Sequence, residues 1–187
     1  MNRRMSMTKE VKKKQFRCES LERLKRVSGC GSYKRDKTIV QALYQYIVEN
    51  KAHTVMLYIP LGTEVNIYPL IQRLRMEKRV LYVPFMEGAS FRLVKYRLPL
   101  KRKQFGIKEP NDSKQYRTKN IDISIVPIVG VDTTLRRVGF GKGMYDRFYE
   151  KQNRYIKKTV FVARELCYSE EIITDDHDVK ADMIITA

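Results

Sequence analysis

From residue 8 to residue 27 the apolar positions Val11, Phe16, Leu21, Leu24 and Val27 recur at helical spacing. Thr8 can cap that helix, and Gly29 lies just past its end. After the turn SGCGSYKRD a second helix is predicted over 36–49, with Ile39, Val40, Leu43, Tyr46 and Ile47 on its apolar face. The period then changes. Residues 53–59, HTVMLYI, form a short apolar run rich in strand formers that ends at Pro60 and Gly62. A helix is predicted over 66–76 with Asn66 as its cap, followed by strands over 79–84 and 90–96. Residues 97–120 are polar, contain Pro99, Gly106 and Pro110, and read as irregular. DISIVPIV, 122–129, is the kind of near-continuous apolar strand that is buried on both faces. A glycine-rich turn, a helix over 144–155 and strands over 158–163 and 183–186 follow.

Strands alternating with helices predict an α/β class: an open, mainly parallel sheet with helices on both faces, Rossmann-like and three-layered, as one domain over 1–187. Such sheets bind ligands at the carboxyl ends of their strands, which directs attention to the loops after Ile59, Pro84 and Val129.

Composition narrows the class. No run of eighteen apolar residues exists, so a transmembrane helix is excluded, and no apolar segment follows the basic start MNRRMSMTKEVKKK as a signal peptide requires. Cys18, Cys30 and Cys167 are scattered and form no CxxC pair, which argues against zinc and disulfides and for a cytoplasmic setting. Thirty-eight Lys and Arg oppose twenty-one acids, a net charge of +17 that attracts polyanions. The excess is uneven: residues 1–37 carry net +9 and residues 167–187 net −5. The two ends could face one site, or both could be solvated surface.

Five segments can carry chemistry. RRVGFGKGMYDRF, 136–148, alternates Gly139, Gly141 and Gly143 with Lys142 between them, follows Arg136 and Arg137, and runs into a helix. Backbone N–H groups, a helix N-terminus and cations together favour a phosphate over a plain turn. It is neither the GK[ST] P-loop nor the GxGxxG fingerprint. Asp146 one turn later either offsets the helix dipole, which its spacing favours, or holds Mg²⁺. YIPLGTEVN, 58–66, offers Glu64 as an acceptor for substrate N–H groups, or as an exposed loop carboxylate. Lys13, Lys14 and Arg17 lie on the first helix, where Lys13 and Arg17 share a face and could grip a phosphate chain or be solvated. FGIKEP, 105–110, follows a basic stretch and suits a lid or a substrate-contacting loop. DDHDVKAD, 175–182, offers Asp178 or Asp182 as a metal ligand, while His177 and His53 have no recognisable partner set.

In this order the segments resemble the 5-formyltetrahydrofolate cyclo-ligase family over about residues 12–185. RVGFGKGMYDRF resembles its R-x-G-x-G-x-G-x-Y-D-R signature, and YIPLGTEV its tyrosine–proline–glutamate loop. FGIKEP, IDISIVPIVGVD, KKQFR at 13–17 and DVKAD at 178–182 fall in matching order. The resemblance implies ATP- and Mg²⁺-dependent conversion of 5-formyltetrahydrofolate, possibly as its polyglutamate, to 5,10-methenyltetrahydrofolate through a phosphorylated formyl group. By position it implies that Lys13, Lys14, Arg17, Arg137, Gly139, Phe140, Gly141, Lys142, Gly143, Met144 and Tyr145 meet ATP. It implies that Ile59, Glu64 and the stretch Phe140, Gly141, Lys142, Gly143, Met144 meet the folate, that Asp146 and Asp178 hold Mg²⁺, and that Lys142 and Arg137 neutralise developing charge. Met144 stands where the family usually has an aromatic residue, and FVARELCY, 161–168, lacks its usual glycine and glutamine. A degenerate ATP- or folate-binding homologue is therefore the alternative, ahead of a nucleic-acid-binding protein; no membrane partner is implied.

Overall fold

The computed structural model describes residues 8–29, 31–102, 108–110 and 120–187. Helix α1 (Lys9–Val27) starts at Thr8, whose backbone carbonyl, not its hydroxyl, receives the first helical bond from Lys12 N at 3.1 Å. Helix α2 (Ser32–Glu49) begins four residues before the expected start, because Gly31 at φ 90° turns the chain directly into it. That puts Asp36 inside the helix and buries it. Strand β1 (Thr54–Met56) is shorter than the apolar run suggested. Leu57 N still reaches Tyr82 O at 2.8 Å, and the chain then peels off the sheet. In α3 (Tyr68–Met76) the cap position is Ile67 rather than Asn66, but Asn66 Oδ1 accepts from Tyr68 N at 3.2 Å.

Strands β2 (Val80–Glu87) and β3 (Ser90–Lys95) form a hairpin that turns at Gly88, φ 57°. β2 runs three residues past Pro84. The Pro84 nitrogen faces away from β3, on the side β1 has already left, so no ladder bond is lost. The stretch read as irregular contains a short antiparallel pair, β4 (Leu100–Arg102) and β5 (Lys108–Pro110). Of the segment FGIKEP, residues 105–107 lie outside the described residues. Glu109 is buried and accepts from Met86 N at 3.0 Å.

Strand β6 (Ile121–Pro127) is buried nearly throughout. Three very short strands, β7 (Gly130–Asp132), β8 (Arg137–Val138) and β10 (Tyr168–Ser169), make a small second sheet. Helix α4 (Met144–Gln152) passes into a 3₁₀ turn, Asn153–Tyr155, and strands β9 (Ile156–Val162) and β11 (Met183–Ile185) follow.

The main sheet has the order β11-β9-β6-β1-β2-β3, parallel except for β3. Helices α2 and α3 cover one face through Ile39, Leu43, Ile47, Leu70 and Leu74, and α1 and α4 cover the other through Leu24, Phe148 and Tyr149. Each such side chain contributes about 1.5–3 kcal/mol by leaving water. This is the expected α/β architecture. The strand order reverses between β1 and β6, which opens a crevice at their carboxyl ends. Among the described residues no helix is long and apolar enough to cross a membrane.

Candidate active site

The crevice holds a cavity of about 440 Å³ lined by Tyr58, Ile59, Pro84, Met86, Phe91 and Pro127 from the ends of β1, β2, β3 and β6. Its lining is mainly apolar, and Glu64 is its carboxylate. Oε2 of Glu64 accepts from Leu61 N at 2.8 Å. Burial pushes the Glu64 carboxyl up to about 7, against the opposing pull of that hydrogen bond and of the Arg137 and Arg164 charges. The loop carrying Glu64 is held twice. Tyr58 Oη donates to Val65 O at 2.9 Å. Arg164 is buried, forks onto Asp36 at 2.7 and 3.0 Å, and also donates to Ser28 Oγ at 2.7 Å and Gly62 O at 3.2 Å. FVARELCY, legible only as a departure from a pattern, thus supplies an internal clamp.

A second cavity, about 510 Å³, lies on the other side of the glycine turn and is charged. Lys13 and Arg17 enter it from α1, Asp146 from α4 and Asp178 from the segment before β11. Between β8 and α4, Gly141 and Gly143 take φ 92° and 61°, where only glycine is unstrained. A Cβ on Gly139 would lie 2.6 Å from Arg137 Nη1, so this glycine makes room for the arginine. Arg17 Nε donates to Gly139 O at 2.8 Å and pins the turn to α1.

Arg137 lines both cavities. Its guanidinium is buried, donates from Nη2 to Asp146 Oδ2 at 3.0 Å and lies 4.9 Å from the Tyr145 ring centre. Its Nε is buried and unpartnered among the described residues. Lys13 Nζ pairs with Asp178, which also accepts from Asp175 N at 2.7 Å. Each candidate metal ligand is thus paired with a candidate phosphate cation. Asp175, His177 and Asp178 place ligand atoms within 4.8 Å of one another, so His177, which has no recognisable partner set in the sequence, joins a cluster.

Asp132 supports this wall. It is fully buried and accepts from Thr134 N and Oγ1, from Ile173 N, and from Thr174 N and Oγ1, at 2.6–3.0 Å. Burial pushes its carboxyl up, but the bonds from Thr134 and Thr174 outweigh that and hold it at about 2.

The expected site residues separate by cavity. Gly139 and Gly141 face the charged one. Ile59, Glu64, Phe140, Lys142, Met144 and Tyr145 line the apolar one, and Gly143 borders both. Tyr145, expected at ATP, is packed edge-on against Phe91 with ring centres 5.0 Å apart, and burial raises its phenol. Lys14 is exposed on α1 and lines neither cavity. Asp146 sits in the first turn of α4, where the dipole reading placed it, yet its carboxylate also meets Arg137. Arg147 borders both cavities and was not singled out, although the glycine segment contains it.

Residues 9–187 match the model of the 5-formyltetrahydrofolate cyclo-ligase family. The chain is 25% identical over 175 residues to the 5-formyltetrahydrofolate cyclo-ligase of Haemophilus influenzae, a match covering 90% of this chain and 94% of that protein. It resembles the NMR structure of the 5,10-methenyltetrahydrofolate synthetase of Aquifex aeolicus at 27% identity and a TM-score of 0.75, over 93% of this chain and 89% of the other. A 5,10-methenyltetrahydrofolate synthetase from Mycoplasma pneumoniae shares the fold, with a TM-score of 0.70 at 23% identity, over 92% of this chain and 97% of that one.

Proposed function

Because this chain belongs to the 5-formyltetrahydrofolate cyclo-ligase family, we propose that it converts 5-formyltetrahydrofolate to 5,10-methenyltetrahydrofolate at the expense of ATP, releasing ADP and phosphate. One observation carries this reading: an apolar cavity and a charged cavity share a single glycine turn, with the buried Arg137 between them. The apolar cavity suits a flat heterocycle whose N–H groups Glu64 accepts when ionised. The charged cavity suits a triphosphate, with Lys13, Arg17 and the turn's backbone as counter-groups.

The reaction needs two steps. The formyl oxygen attacks the γ-phosphorus, and ADP leaves. The adjacent folate amine then attacks the formyl carbon, loses its proton, and phosphate departs with the former formyl oxygen. Ring closure is intramolecular, so orientation supplies much of the advantage. Phosphoryl transfer asks the protein chiefly for positioning and charge neutralisation. Arg137 is the residue we assign to both, and its Nε, without a partner among the described residues, leaves a donor for an anion. Lys142 reaches the same space from the turn. Mg²⁺ prefers oxygen ligands and would neutralise phosphate charge; Asp146 and Asp178, both on the charged cavity, fit it. The net charge of +17 suits two anionic substrates, including a folate with a polyglutamate tail, in the cytoplasm.

The test mixes purified protein with 5-formyltetrahydrofolate, ATP and Mg²⁺ and follows the near-ultraviolet absorbance of the product. Product should require ATP and fall by about 100-fold or more in Asp146→Ala. ATP binding without product would defeat the reading in favour of a degenerate homologue.

A further inference from the structure

Arg147, at the end of the first turn of α4, takes no part in the chemistry above. Its Nε donates to Ala89 O at 2.8 Å, and its Nη2 donates both to Ala89 O and to Lys142 O. One carbonyl belongs to the turn of the β2–β3 hairpin and the other to the glycine turn. Three N–H groups are thus spent on backbone carbonyls, an arrangement for tying segments together rather than for gripping phosphate. Gly143 leaves space for the tie, since a Cβ there would lie 2.8 Å from Arg147 Nη1.

The hairpin lies at the border of the sheet. β3 is the edge strand of the main sheet. Near the tip, the hairpin meets α4 through Ser90 Oγ, 3.3 Å from Met144 O, and through the Phe91 ring on Phe148. Gly88, Ala89 and Phe91 form one wall of the apolar cavity, while the glycine turn borders the charged one. We propose that Arg147 is a positioning residue that couples the two cavities: it ties the hairpin wall to the glycine turn, so a nucleotide seated on the turn draws the folate cavity closed. This rests on the reading that nucleotide fills the charged cavity and folate the apolar one. The tie needs a guanidinium, because its rigid fork spans two carbonyls where an ammonium of equal charge cannot.

Arg147→Lys and Arg147→Ala test this, with folate KM and ATP KM measured separately. Hydrogen–deuterium exchange of residues 87–91 is followed alongside, with and without a non-hydrolysable ATP analogue and Mg²⁺. Both variants should raise about tenfold the folate KM at saturating ATP and, because coupling is reciprocal, the ATP KM at saturating folate, while leaving the Kd of the ATP analogue for the folate-free protein within about threefold. The analogue should slow exchange at the hairpin tip in the wild type and not in Arg147→Lys. Wild-type folate KM and protection in Arg147→Lys would overturn the proposal, because charge alone would then suffice. A weakened Kd of the ATP analogue for the folate-free variants would also overturn it, as would a hairpin that the analogue does not protect in the wild type. A wild type that turns over no folate defeats the functional reading instead, and the exchange data then decide the tie alone.

Discussion

Glu64 shows how one side chain sets a pH window. Its carboxyl is raised from 4.5 to about 7 by burial, so the folded protein prefers it protonated. The resulting stability is fully present below about pH 4.5 and is lost as pH rises through about 7. Glu64→Gln keeps an acceptor for Leu61 N and never ionises. Thermal melts should show this variant a few degrees more stable than the wild type above pH 7, and level with it near pH 4.5. On the folate reading, binding follows the opposite course, since an ionised carboxylate accepts substrate N–H groups more strongly than a neutral carboxyl or amide. Folate KM should rise as pH falls below about 7 in the wild type and stay flat, at a higher value, in Glu64→Gln. The sequence offered Glu64 as an acceptor because a loop after a strand is where α/β sheets bind. Its raised pKa was not legible there, because burial depends on the walls that close around it.

Elements met the sequence reading where they were long. The helical period of α1 and α2 and the apolar run of β6 were visible because many residues repeat one choice of face. Strands of two or three residues such as β7, β8 and β10 carry too little period to read and exist through tertiary pairing. The join between α2 and the segment after β9 was also invisible, because Arg164 and Asp36 are 128 residues apart. Breaking that buried fork by Asp36→Ala strands a guanidinium and should cost about 3–5 kcal/mol in urea unfolding. Asp36→Ala with Arg164→Met should cost less than Asp36→Ala alone, since no unpaired charge remains. The Asp132 hub joins elements in the same way. Its carboxyl is held at about 2, so its stabilisation is present above pH 3.8 and lost as pH falls through 2. Asp132→Ala should lower the urea midpoint at pH 7, and the gap to the wild type should narrow below pH 3.8. Proteolysis should then cut first near residues 173–178, the stretch the hub secures.

Across the molecule, the order β3-β2-β1-β6-β9-β11 puts the crevice where a doubly wound sheet binds ligands. The loops after Ile59, Pro84 and Val129 were named on that rule alone, and Ile59 and Pro84 line the apolar cavity. The glycine signature was legible as a motif, but its division was not. Gly139 and Gly141 face one cavity, while Phe140 and Lys142 face the other. That split follows from the left-handed turns at Gly141 and Gly143, which only the folded backbone reveals.

The charged cavity has a further property in time. Lys13 and Asp178 meet across 165 residues of chain, one on the first helix and one beyond the last helix. Closing a loop of that length before the sheet between them assembles costs entropy that no packing yet offsets, so the pair forms late. A chain still folding therefore exposes a basic start and an acidic end that do not yet meet in the charged cavity. Partly folded molecules lack this pairing, and the finished cavity is a mark of a finished fold.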